Sequence, residues 1–88
     1  MKYQVHDLGQ LSGGEIVEVT LAGTAANVKL MDSSNFSNYK YGKNHKYYGG
    51  YIKHSPYRVS VPNFGRWYIT IDLGGYSGTI RSAVKVIK

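Results

Sequence analysis

A chain of 88 residues has room for one domain, and 42% hydrophobic composition marks it as globular, not disordered. It carries a formal charge of +6 and no cysteine, which excludes a disulfide framework, a thiolate zinc site and a thiol nucleophile. No apolar run is long enough for a membrane helix, and the opening Met-Lys-Tyr-Gln-Val-His-Asp has no secretory-signal core, so a cytoplasmic protein without a membrane partner is expected.

Period-2 alternation dominates the chain. Residues 2–6 place Tyr3 and Val5 on one face, and a turn follows at Gly9, Ser12, Gly13 and Gly14. Residues 15–21 put Val17, Val19 and Leu21 inward. After a turn at Ala22-Gly23-Thr24, residues 27–31 put Val28 and Leu30 inward and Lys29 outward. Residues 32–46 lose the alternation and are rich in Ser, Asn and Gly, which favour turns. They open a long basic, tyrosine-rich loop region over residues 32–56, with a short strand at 47–53 broken at Gly49-Gly50.

Beyond it, residues 57–61 alternate again with Val59 and Val61 inward, and Pro62-Asn63-Phe64-Gly65 has the chemistry of a turn. Residues 66–73 put Trp67, Ile69, Ile71 and Leu73 inward, leaving Arg66 and Tyr68 on the other face, where Arg58 is expected to neighbour them. A glycine-rich turn, Gly74-Gly75-Tyr76-Ser77-Gly78, leads to residues 79–87, with Ile80, Val84 and Val86 on one face. No apolar three–four spacing persists long enough for a helix. The expectation is a single all-β domain over residues 1–88: a compact, jelly-roll-like sandwich or a distorted barrel of six to eight short strands.

Four strings bear a family likeness: Gly13-Gly14-Glu15-Ile16-Val17-Glu18-Val19, Asn27-Val28-Lys29-Leu30-Met31-Asp32-Ser33-Ser34-Asn35-Phe36, Tyr47-Tyr48-Gly49-Gly50 and Trp67-Tyr68-Ile69-Thr70-Ile71-Asp72-Leu73-Gly74-Gly75. In this order they resemble the bacterial domain-of-unknown-function 1883 family over nearly the whole chain. The resemblance implies a small β-rich domain, found alone or attached to a Toll/interleukin-1-receptor-type domain, and supplies no catalytic residue. The C-terminal third also looks like the last hairpins of jelly-roll domains that accompany secreted peptidases or bind sugars.

The charge is concentrated. The five acids are Asp7, Glu15, Glu18, Asp32 and Asp72; none lies between Asp32 and Asp72, where Lys40, Lys43, Lys46, Lys53, Arg58 and Arg66 give +6. Six of the nine tyrosines fall between Tyr39 and Tyr57 in the same interval. Such segregation points to a polyanionic or acidic partner, since cations track phosphates while aromatic faces stack on bases.

Other chemistries find less support. His45 and His54 lie nine residues apart with no acid between, unlike the close pairs of zinc sites. His54 and Ser55 are adjacent, which a strand sends to opposite faces. The glycine turn at 74–78 lacks the lysine and following helix of a phosphate loop. The sequence therefore reads as a non-catalytic binding module, without metal or cofactor, for nucleic acid, nucleotide or another polyanion. Lys40, Tyr41, Lys43, Lys46, Tyr47, Tyr51, Lys53 and Arg58 are the candidate contacts. A protein-interaction or sensing module and a carbohydrate-binding module are the alternatives.

Overall fold

Alternating strands that each offer one apolar face bury it by pairing face to face, and this chain does so. A computed structural model describes residues 3–23, 25–75, 78 and 80–88. Among them are seven strands and one helix: β1 (Tyr3–Leu11), β2 (Ile16–Ala22), β3 (Ala26–Asp32), α1 (Ser33–Lys40), β4 (Tyr48–Ile52), β5 (Tyr57–Ser60), β6 (Gly65–Asp72) and β7 (Arg81–Ile87). They form two antiparallel sheets, of order β1-β6-β3-β4 and β5-β2-β7. The fold is an all-β sandwich, one of the two architectures expected. Lys2, Thr24, Tyr76, Ser77 and Thr79, which the sequence reading assigned to strands and turns, lie outside the described residues.

The inner faces meet in a core of Val17 and Val19 from β2, Val28 and Leu30 from β3, and Trp67, Ile69 and Ile71 from β6, closed by Leu11, Val61 and Ile80. Apart from Leu11, these are residues that alternation set on the apolar faces of their strands. The Trp67 indole N–H donates to the carbonyl of Asn63 at 3.0 Å, so the ring is buried with its polar edge satisfied.

Tyr3 and Val5 share a face, as alternation placed them, and their register partners Asp72 and Thr70 make it the outer face of the four-stranded sheet. A bulge between Asp7 and Gly9 then shifts the strand so that Leu8 and Leu11 pack inward. Residues 33–40 are a helix, not a loop. Asp32 caps it by accepting the Asn35 N–H at 3.0 Å, and its side chains at i and i+3, Phe36 and Tyr39, are too few to show helical periodicity in sequence. Phe36 stacks on Tyr68 at 4.4 Å, and Tyr39 meets Tyr3 edge-on at 5.1 Å. Under this helix the outer-face residues Met31, Thr70 and Asp72 become buried.

A second expectation, that Arg58 neighbours Arg66 and Tyr68, is also corrected. Arg58 sits on β5, on the outer face of the three-stranded sheet, and pairs with Glu18 at 2.8 Å. Arg66 and Tyr68 are on the outer face of the other sheet, across the sandwich, where Arg66 bonds to the Tyr68 hydroxyl at 3.0 Å and pairs with Asp7.

Candidate polyanion-binding face

The electrostatics follow from where the acids go. Asp7 pairs with Arg66 and Glu18 with Arg58. Glu15 accepts the backbone N–H groups of Ser12 and Gly13, and Asp32 accepts from Asn35. Asp72 is 3% exposed and accepts from the Tyr39 hydroxyl at 2.7 Å, the Asn27 amide at 2.9 Å and the Gly74 N–H at 2.9 Å. Burial alone would raise the Asp72 pKa, but these donors and the nearby Lys29 outweigh it and hold the carboxyl below its ordinary value. Among the described residues only the two arginine pairs are salt bridges, so Lys29, Lys40, Lys43, Lys46 and Lys53 are all without a carboxylate partner.

Lys29, Lys40, Lys43 and Lys46 lie on β3, on α1 and in the connector into β4, and Lys53 follows the other end of β4. Lys40 ends α1, its ammonium 5.7 Å from the Phe36 ring centre and 5.8 Å from that of Tyr41. The helix closes with the Gly42 N–H on the Tyr39 carbonyl and the Lys43 N–H on the Asn38 carbonyl; Gly42 takes φ +71, the left-handed conformation suited to such an end. The connector is then tied back to the helix, the Lys46 N–H donating to Asn35 Oδ1 at 2.7 Å. Asn35 also bonds to the capping Asp32, so one side chain fixes both ends of the segment that presents Lys40, Lys43 and Lys46.

β4 is an edge strand, paired among the described residues with β3 alone. Its register sets Tyr51 opposite Asn27 and Gly49 opposite Lys29, all on the outer face, while Tyr48 lies opposite the core residue Leu30. Tyr41, Tyr47 and Tyr51 are 70%, 43% and 62% exposed, so each offers ring surface to solvent. Tyr48 is also exposed but leans toward Trp67 at the inner edge.

Lys29 is the residue that the sequence reading left out of the site. Its ammonium lies 4.6 Å from the Tyr47 ring centre and 5.1 Å from that of Tyr39, a cation–π arrangement with both rings. His45 packs against the same two rings at 5.1 and 5.6 Å, with Nδ1 3.0 Å from the Lys43 carbonyl. The outward parity of Lys29 was readable; its convergence with a segment eighteen residues downstream depended on the β3–β4 pairing. The structure thus gathers Lys29, Lys40, Tyr41, Lys43, Lys46, Tyr47 and Tyr51 around the α1–β3–β4 corner, has Lys53 follow β4, and sets Arg58 apart.

A second polar cluster joins β1 to β7. Gln4 Nε2 donates to the Ile80 carbonyl, leaving Gln4 Oε1 to accept from the Ser82 hydroxyl at 2.6 Å; His6 Nε2, 2.9 Å from the same hydroxyl, is then the donor. That direction is the reverse of a histidine activating a serine, and the cluster instead links the two sheets. Among the described residues no three metal-ligating side chains converge, and no helix is long and apolar enough to cross a membrane.

The family model described as "Domain of unknown function (DUF1883)" matches residues 1–88. No curated protein and no solved structure matches the chain.

Proposed function

The chain belongs to the DUF1883 family of domains of unknown function, and on that premise we propose that it is a non-catalytic binding module for an anionic ligand, nucleic acid or nucleotide. One observation supports this most: Lys29, Lys40, Lys43 and Lys46, without carboxylate partners among the described residues, stand with exposed tyrosine rings at the α1–β3–β4 corner, Lys53 follows β4, and each of the five acids is already engaged by hydrogen bonds or an arginine. A purely solubilising surface has no need to hold its aromatic rings out among its cations. A carbohydrate module would use the same rings without the lysines, and a protein partner would bind independently of nucleic acid.

The test is binding of a labelled single-stranded oligonucleotide across a salt series. Five lysine–phosphate contacts give a slope of log affinity against log salt near about −3.5, at about −0.7 per contact. A flat response, or no binding at low salt, sinks the reading; sugar binding that survives high salt would replace it.

A further inference from the structure

On the outer face of β3–β4, Lys29 and Tyr51 are diagonal neighbours: Lys29 pairs with Gly49, two residues before Tyr51. Diagonal side chains of antiparallel strands start about 7–8 Å apart. On the β4 side of this gap Gly49 contributes no side chain and is barred from having one. A Cβ there would lie 2.1 Å from the Val28 carbonyl oxygen, and its φ is +138.

The two ends of this gap differ in chemistry. The Lys29 ammonium is held in place by the Tyr39 and Tyr47 rings, which contact it without using its N–H donors. A cation fixed in this way meets an anion with little further loss of freedom. The same contact commits ring surface of Tyr47 to Lys29, so Tyr47 serves as a clamp. Tyr51, more exposed and with no aromatic or cationic neighbour among the described residues, is the free stacking surface.

We infer that Lys29 and Tyr51 form a one-nucleotide site for an unpaired nucleic-acid strand, with a phosphate on the Lys29 ammonium and the adjoining base stacked on the Tyr51 ring. This rests on the polyanion reading above and narrows it to single strands, because in a duplex the base faces are already stacked on one another and closed to Tyr51.

Fluorescence anisotropy with a labelled oligothymidylate and a hairpin duplex of equal phosphate number tests this, with each variant's melting curve recorded to confirm folding. The single strand is expected to bind at least about tenfold tighter than the duplex. Tyr51→Ala loses about tenfold or more, the scale of one base–aromatic stack, and Tyr51→Phe restores it. Lys29→Gln makes the salt slope shallower by about 0.7. Salt-dependent binding that is equal for duplex and single strand, or unchanged in Tyr51→Ala, overturns the Lys29–Tyr51 site and leaves the polyanion reading standing. Failure to bind either oligonucleotide at low salt overturns both.

Discussion

The Tyr39 hydroxyl donates to Asp72 Oδ2 at 2.7 Å, tying the last turn of α1 to the final residue of β6. The same carboxylate holds Asn27 of β3 and the Gly74 N–H, so four segments meet on one buried charge. The Tyr39 ring also flanks the Lys29 ammonium. The candidate face is therefore fastened to the sandwich through a hydrogen bond beneath it.

Tyr39→Phe removes that donor and leaves the ring. Hydrogen bonds to charged groups contribute about 1.5–3 kcal/mol, so urea denaturation should show a loss of about that size. Hydrogen exchange should quicken most over α1 and residues 41–47. Uniform exchange across the domain would mean that the bond does not govern the face in particular.

Stability should fall in two stages on acidification. Burial lowers the His6 pKa below 6.5, so the unfolded chain takes the proton more readily; this contribution is complete above pH 6.5 and is lost as the pH falls through the folded value. Asp72 behaves likewise at lower pH: held below 3.8, it contributes above that value and loses its contribution as the pH falls further. Asp7 and Glu15, also depressed by hydrogen bonds, act in the same acid range. Denaturation midpoints measured from neutral to acid pH should show both stages, and His6→Gln should abolish the first. A midpoint that rises on mild acidification would contradict the assignment.

Alternation made the inner faces of β2, β3 and β6 legible, because a half-buried strand writes its burial at every second residue. It failed where both sides of a strand are covered. Thr70 and Asp72 are polar residues on the outer face, and nothing local shows that a short helix lies over them. That helix has few strong helix formers in Ser33–Lys40 and depends on Phe36 and Tyr39 packing against distant rings. The basic, tyrosine-rich character of the candidate face was likewise plain in composition. Nearness in sequence put Arg58 among the candidate contacts and left Lys29 out, whereas β3–β4 pairing sets Lys29 beside the tyrosine-rich segment and β5 carries Arg58 on the other sheet.

The adjacent glycines of β4 should respond in opposite ways to a methyl group. Gly49→Ala drives a Cβ into the Val28 carbonyl oxygen at positive φ, combining backbone strain of about 1–3 kcal/mol with a steric cost of similar size. A loss of about 2–4 kcal/mol is expected, with detachment of the β4 edge. At Gly50 a Cβ meets nothing within 4 Å, and Gly50→Ala should change stability by less than about 1 kcal/mol. Equal effects in chemical denaturation would place β4 in a different register.

The geometry of the face also predicts which cations a bound polyanion ignores. Arg58 lies across the sandwich and is already neutralised by Glu18, so Arg58→Gln should leave the salt slope of oligonucleotide binding unchanged. An exposed pair of this kind contributes at most about 1 kcal/mol, so the variant stays folded. Lys46 has no such partner among the described residues and is held at the face through its backbone bond to Asn35. Lys46→Gln should make the slope shallower by about 0.7. The comparison is sharp because both residues fall in the same charge-rich stretch and differ chiefly in the sheet they adjoin. Equal slope changes would require the ligand to contact both outer faces, which a single strand confined to the α1–β3–β4 corner does not do.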